Sequence, residues 1–539
     1  MTYKNNPRSI ITPLIVAVSI LIGIFVGRTF NLQSTEIQAS EDHKPYSKLD
    51  MIVRMIDKSY VDTVDVKQMV EDAIPSLIKK LDPHTVYIPS EDFEGVNEGL
   101  RGNFGGIGVQ FLMHKDTVAV VKVVPNGPSQ KAGIIDGDRI VKVNDTIIAG
   151  LKMKNDKIMK MMRGVIGSKI KLTIKRKNKK KLITKNIERG AIPLKSVDIA
   201  YMMKDSLAYI KINKFAMNTL NEFVDGLEKL DKEGMKKLIV DLRGNTGGFL
   251  GNAINMINEF LPDKRVIVYT EGKSSPRTDY LANGKGRYLD LPIAVLIDED
   301  SASASEIFAG AIQDNDRGFV IGRRSFGKGL VQEQRRLFDG SALRLTVARY
   351  HSPSGRCIQK SYENGKKEYY SDIYERFTHG EFSVKDSIHF NDSLKYTTTK
   401  GRFVYGGGGI MPDIFVPMDT LGFSKYLGNL AKKSLIYKYS FVYADAHRKE
   451  FAKFKDYKSI VKYLKSKNVL KDLISYAAKN GVKKDAKGLR LSKEIIETRL
   501  YAYISRHFID DEGFYPIIAN IDNTLHTASK VLEDNTELK

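Results

Sequence analysis

Cysteine is almost missing from the sequence: Cys357 stands alone among 539 residues. A disulfide framework, a cysteine-based zinc site and an iron–sulfur cluster are therefore excluded within one chain. No HExxH or other paired-histidine spacing occurs among the 9 histidines, so a metalloprotease has no support. Proline (16) and glycine (43) are not in excess, and 42% of residues are hydrophobic, so collagen, wholesale disorder and a polytopic membrane protein are ruled out. Positive charge is in surplus. The 86 Lys and Arg against 64 Asp and Glu leave +22, which suits nucleic acid or an anionic membrane surface as a partner. A chain of this length makes about three or four domains.

Ile10 to Gly27 is an 18-residue run without charge, preceded by Lys4 and Arg8 and closed by Arg28. A helix of that length spans about 27 Å, near the short end of the transmembrane range. The flanking charges favour a cytoplasmic N-terminus. The run therefore reads as a single-pass anchor, with the rest of the chain extracytoplasmic (periplasmic) in the cell envelope. That location argues against nucleic acid. A cleaved signal peptide is the competing reading, but Ala39 lies well beyond the apolar run.

Residues 1–30 thus form a cytoplasmic tip and anchor, and 31–95 a linker and helical region. In the latter, Leu49 to Leu81 carries two helices' worth of periodicity, ending at Asp82-Pro83. Residues 96–188 are rich in short apolar strands broken by glycine. They include Gly105-Gly106-Ile107-Gly108-Val109-Gln110-Phe111, Val118 to Val124, Asp136 to Asn144, a short helix near Lys157 to Met162 and a strand from Lys169 to Ile174. The series resembles a PDZ domain, with Gly105, Gly106, Ile107 and Gly108 as its carboxylate-binding loop. Consecutive glycines let backbone N–H groups converge on a terminal carboxylate, and the next strand offers an edge for β-augmentation. Nine Lys or Arg fall between Lys169 and Lys185 with no acid. Aromatic residues for base stacking are absent there, and the run reads as a solvated hairpin.

From 189 to 418 the pattern becomes strand–turn–helix: Leu207 to Ile212, Thr219 to Leu230, Leu238 to Leu242, Leu250 to Leu261, Ile293 to Ile297, Ala304 to Ile312 and Gly318 to Ile321. Such alternation implies a largely parallel sheet covered by helices. Residues 419–539 read as a C-terminal helical extension without a chemical motif.

Chemistry is densest in Ser301-Ala302-Ser303-Ala304-Ser305-Glu306 and in Gly322-Arg323-Arg324-Ser325-Phe326-Gly327-Lys328-Gly329. Ser303-x-x-Glu306 alone is a capping box. The second segment fails as a phosphate loop, because Gly329 stands where Ser or Thr must hold Mg²⁺ and an extended segment follows. Together the two segments resemble the carboxyl-terminal processing proteases, serine peptidase family S41, whose members use a Ser–Lys dyad. The resemblance covers roughly residues 45 to 420. It implies Ser303 as nucleophile, Lys328 as general base and Gln332 as the residue that orients the lysine. Through Asp241-Leu242-Arg243-Gly244-Asn245-Thr246-Gly247-Gly248 it also implies an oxyanion hole from the backbone N–H groups of Gly248 and Ala304. Asp82-Pro83-His84, Tyr350 to Arg356 and Gly409 to Asp413 match as well. Asp314 matches a position expected to be structural, and Arg163 lies where some members couple PDZ ligand binding to the catalytic site.

The residue types suit that chemistry. A lysine with an ordinary pKa near 10.4 is almost wholly protonated at neutral pH, and burial can lower it. Lys328 lies among glycines and apolar residues, with no carboxylate until Glu333. The fold expected is multidomain α/β: a protease core of crotonase/ClpP-like βα units, a β-rich PDZ domain, and helical N- and C-terminal regions. The function expected is an extracytoplasmic, membrane-anchored serine endopeptidase that captures apolar C-terminal tails and needs no metal or other cofactor. An adaptor protein or a homo-oligomer is a further partner to consider. A catalytically silent PDZ scaffold or chaperone of the envelope is the alternative.

Overall fold

The computed structural model describes residues 16–25, 45–177, 179–388 and 391–534, and divides into two compact units, 1–74 and 75–539. In the first, residues 16–25 are helical and exposed, and a helix follows over Pro45–Ser59. The single-pass anchor expected over Ile10 to Gly27 is not seen: among the described residues no helix is long and apolar enough to cross a membrane. Positions 10–15 and 26–27 of that run lie outside the described residues.

In the second unit, helix α1 (Phe93–Arg101) leads into the region expected to be a PDZ domain. Its strands are β1 (Val109–His114), β2 (Thr117–Val123) and β3 (Arg139–Val143), followed by helix α2 (Asn155–Met162), β4 (Lys169–Lys175) and β5 (Ile183–Glu188). The sheet is antiparallel in the order β1-β2-β3-β4-β5, so β1 pairs on one side only. Val118, Val120, Ile140, Leu172 and Ile174 alternate inward with Ile158 of α2, the period-2 signature of a half-buried sheet. The basic run is the β4–β5 hairpin.

The core sheet begins with β6 (Val197–Lys204) and β7 (Leu207–Ile212). Helix α3 (Thr219–Lys232), β8 (Lys237–Asp241), α4 (Leu250–Ile257), β9 (Ile293–Ile297), α5 (Ala304–Asp314) and β10 (Phe319–Gly322) then alternate. A second sheet carries β11 (Leu330–Arg336) and β12 (Ala342–His351), and helix α6 (Lys366–Thr378) follows. Strand β13 (Ile414–Phe415) closes the core sheet in the order β6-β7-β8-β9-β10-β13, parallel at every pairing except β6–β7.

Strands β8 and β9 are apolar without alternation because both faces of the sheet are covered. Leu238, Val240 and Val295 face the cluster formed by α3, α4 and α5. Ile239, Ala294 and Leu296 face the other way, onto Leu525, Ala528 and Leu532. Those three residues belong to the last described helix, so the C-terminal extension covers the second face of the core sheet. The extension contains α7 (Leu435–Phe451), α8 (Ala486–Ile509) and α9 (Asn523–Glu533). Asp522, which caps α9, accepts two hydrogen bonds from Arg243, at 2.9 and 2.7 Å. Phe441 of α7 packs on Leu112, Ala119 and Val121 of β1 and β2, and Asp445 pairs with Arg139 at 2.7 Å. One helical region thus touches both the β1–β5 sheet and the core sheet.

Asp314, the last residue of α5, is fully buried against fully buried Arg356 at 2.7 Å and also accepts from the hydroxyls of Ser352 and Ser354. Removing one partner leaves an unpaired charge in the interior, which costs about 3–5 kcal/mol. Asp314→Ala is expected to shift the urea unfolding midpoint of the full chain down accordingly, and Ser354→Ala by far less.

Candidate active site

Three serines stand in the segment before α5, and burial separates them. Ser301 and Ser305 are fully buried and stitch the turn to the Asp241–Gly248 loop. The Ser301 hydroxyl donates to the Leu242 carbonyl at 2.9 Å, and that of Ser305 to the Asn245 carbonyl at 2.8 Å. Ser303 alone of the three lines a cleft of about 820 Å³. Its backbone is at φ 56°, ψ −116°, a strained conformation for a residue with a side chain. Strain of this kind is held only where neighbours over-determine it, and Ser303 N–H donates to Glu306 Oε2 at 2.8 Å while its carbonyl accepts from Tyr350 Oη at 3.2 Å.

The glycines opposite explain themselves sterically. A Cβ on Gly247 would lie 2.8 Å from Ser303 Cβ and 2.9 Å from Ala304 N, and one on Gly248 would lie 2.1 Å from the Phe215 carbonyl oxygen. The loop can approach the serine turn only as glycine. Asn245 fixes it, donating to the Ile212 carbonyl at 3.0 Å and accepting from Gly247 N–H at 2.9 Å. Among the described residues the N–H groups of Gly248 and Ala304 meet no protein acceptor, and both residues line the cleft. Ala304 is the first residue of α5, where a helix leaves its N–H groups unpaired and its dipole positive.

Lys328 enters the same cleft from the loop before β11. Burial pushes its pKa down to about 8, Arg344 helps, and Glu306 and Asp82 pull the other way. Its ammonium donates to Gln332 Oε1 at 2.9 Å. Gln332 in turn donates from Nε2 to the His84 carbonyl at 2.6 Å. That carbonyl can only accept, so the amide is oriented with its oxygen toward the lysine. Asp82 holds the His84 turn by accepting from the N–H groups of His84 and Thr85 at 2.8 and 2.9 Å. Burial, then the Lys328 charge, pushes the His84 imidazole down to about 4, and its Nε2 meets Tyr369 Oη at 2.8 Å.

Glu306 joins the two halves of the site. Its fully buried carboxylate accepts from Ser303 N–H and Lys328 N–H at one oxygen, both at 2.8 Å. The other oxygen accepts from Gly327 N–H at 2.7 Å and from the Ser325 hydroxyl. Burial raises its pKa to about 7 against these four donors. Tyr350 repeats the link from the other side, its one hydroxyl hydrogen directed at the Lys328 carbonyl at 2.5 Å and shared with the Ser303 carbonyl at 3.2 Å. Sequence patterns disclosed Glu306 only as a helix cap and Tyr350 only as a motif residue. Their second partners are long-range and carry no local signal.

With this geometry in place, similarity to known proteins becomes specific. Residues 206–365 match peptidase family S41. The probable CtpA-like serine protease of Staphylococcus haemolyticus (strain JCSC1435) is 31% identical over 389 residues, which cover 71% of this chain and 77% of that protein. The chain belongs to peptidase family S41. It is a serine protease of the C-terminal processing type, with a PDZ domain matched over residues 105–187. The probable CtpA-like serine protease of Staphylococcus aureus (strain N315) is 33% identical over 350 residues, covering 64% of this chain and 68% of that protein. Residues 26–92 match the N-terminal domain of the activating protease CtpB, and 426–510 a family of unknown function. Among solved structures, a photosystem II D1 C-terminal processing protease is 26% identical, with a TM-score of 0.33 over 57% of this chain and 89% of that one.

The structure brings Ser303, Ala304, Gly248, Lys328 and Gln332 to one cleft, whereas the PDZ residues stand apart from it. Gly105 and Gly106 pair with Ala191 and Gly190 in a two-stranded ribbon, Ile107 is buried in the PDZ core, and Gly108 turns the chain into β1 at φ 72°. Arg163, after α2, pairs with Glu98 of α1 at 2.6 Å and lies over the Phe104 ring at 4.4 Å. Other residues of α1, Val96, Asn97, Leu100 and Arg101, line the cleft. Among the described residues no cluster of three or more His, Cys, Asp or Glu could hold a metal ion.

The Lys328 amine is expected to titrate near pH 8. Its labelling by an amine-reactive reagent, followed by peptide mass spectrometry, should reach half-rate there, about two units below exposed lysines. Because Glu306 raises this pKa, Glu306→Gln should move the midpoint lower.

Proposed function

We propose that this S41 protease cuts peptide bonds with Ser303 as nucleophile and Lys328 as general base. The reading is carried by the convergence of Ser303, Lys328 and two unpaired N–H groups on one cleft. The neutral Lys328 amine takes the Ser303 hydroxyl proton as the oxygen attacks the substrate carbonyl. The oxyanion forms against the N–H groups of Gly248 and Ala304, where each such donor contributes about 3–4 kcal/mol to the transition state. The lysine ammonium then protonates the leaving amine, giving an acyl-enzyme, and Lys328 activates water to release the acid and regenerate the serine.

Gln332 accepts from the lysine without adding the negative charge that would raise its pKa. With a pKa near 8, roughly a fifth of Lys328 is neutral at pH 7.4, against about one in a thousand for an ordinary lysine. The open edge of β1, with Phe111 and Met113 packed on the same apolar cluster as Met161 of α2, suits an extended apolar C-terminal tail added as a further strand. Arg163, tied to cleft-lining α1, is placed to report that binding to the site. The uncharged run from Ile10 to Gly27 is the sequence feature that supports an envelope location.

The test is mass spectrometry of an unstructured protein with an apolar C-terminus, incubated with the protein and with its Ser303→Ala and Lys328→Ala variants. Products should vanish in both, with losses in kcat/KM of a thousandfold or more, and persistence in both would overturn the dyad. Since the base form is the active one, wild-type kcat/KM should rise with pH through about 8 and fall away below it. Tail binding without cutting in any of the three would favour the scaffold reading.

A further inference from the structure

The cleft around Ser303 is apolar and positive. Phe93, Leu100, Met217 and Ile307 supply apolar wall, while Arg101, Lys214, Lys328 and Arg344 all reach it, and no Asp or Glu lines it among the described residues. These cations differ in what they already hold. Arg101 pairs with Glu94, and Lys328 is held by Gln332. Arg344 is partly buried, enough to lower its pKa, yet its guanidinium meets only a neutral acceptor: Nε and Nη2 both donate to Gln334 Oε1, at 3.2 and 2.7 Å. Among the described residues it has no carboxylate partner.

Its position is built. On β12, Arg344 pairs with Gln334 of β11 on one side and with Val86 on the other, while Gln332, two residues before Gln334, pairs with Thr346. Period-2 alternation puts Gln332, Gln334, Arg344 and Thr346 on one face. The guanidinium thus stands on the face that carries the lysine's partner. Gln334 is itself held, donating to Asn97 Oδ1 at 3.1 Å, so Arg344 is oriented before any ligand arrives. A half-desolvated guanidinium with spare donors in a cleft free of acids is a carboxylate receptor.

We infer that Arg344 is a specificity-determining residue that binds a substrate carboxylate close to the scissile bond, so that the protease prefers apolar segments carrying an acidic group there. The inference rests on the cleft being the peptidase site. The carboxylate has two sources, an Asp or Glu side chain or the substrate's own C-terminus when the cut lies near it. Docking it beside Arg344 also offsets a charge that helps keep Lys328 neutral. Bound acidic substrates therefore meet a slightly stronger, later-titrating base, shifted in the same direction as by the charges of Glu306 and Asp82.

Four peptides of one apolar sequence test this, with Glu or Gln beside the scissile bond and a free or amidated C-terminus. Wild type should cut the preferred carboxylate form at least tenfold better in kcat/KM, mainly through KM, and the ratio should shrink with added salt. Whether the Glu→Gln change or amidation removes the advantage identifies the source. Arg344→Gln should collapse the ratio toward one, Arg344→Lys should retain part of it, and Arg344→Glu should favour a Lys-containing peptide. The pH limb of kcat should lie higher for the acidic peptide. Unfolding midpoints matching wild type keep these ratios interpretable. Equal cutting of all four peptides by wild type, or an unchanged ratio in Arg344→Gln, overturns the inference while leaving the Ser303 reading intact. Cutting that survives Ser303→Ala overturns the reading beneath it instead.

Discussion

One buried carboxylate holds the two halves of this site together. Glu306 sits in the first turn of α5 and receives the backbone N–H groups of Ser303, Gly327 and Lys328 and the hydroxyl of Ser325. Those four donors oppose the burial that raises its pKa to about 7, and through them it fixes the serine turn and the lysine loop in one frame. The strained φ at Ser303 is tolerable for the same reason. Tyr350 braces the carbonyl side of both segments, so neither can shift without breaking bonds to the other.

The lysine's state follows from where that frame places it. Burial is the leading cause of its lowered pKa, and the charges around it partly cancel, Arg344 against Glu306 and Asp82. Glu306 contacts the lysine through the backbone N–H and leaves the ammonium to a neutral amide. A carboxylate at that distance from the ammonium would have kept the lysine protonated. The chain therefore uses a buried carboxyl group to position the loop and a neutral amide to hold the lysine amine.

Much of this was legible beforehand, and the limits have physical causes. The apolar runs Leu238–Leu242 and Ile293–Ile297 announced a sheet covered on both faces, and the structure has one. What covers the second face was not legible, because α9 has ordinary amphipathic periodicity and lies far along the chain from Ile239. Among three serines in one hexapeptide, only the family pattern pointed to Ser303, and burial of Ser301 and Ser305 supplies the physical reason. Gln332 was readable only through the family resemblance, and its second partner, the His84 carbonyl, is a backbone atom 248 residues away. Arg344 left no motif, since an arginine on a strand signals nothing until its neighbours are known to lack acids. The apolar run near the N-terminus was plain in sequence, yet the described part of it is only the helix over residues 16–25.

The most direct test is the rate at which Ser303 becomes acylated by a peptide-based acylating reagent, read by intact-mass and peptide spectrometry across pH. The account predicts a single adduct on Ser303 whose rate rises with a midpoint near pH 8, and whose rise is abolished in Lys328→Ala. An adduct on another residue, or a Ser303 rate that ignores pH and the loss of Lys328, would contradict it.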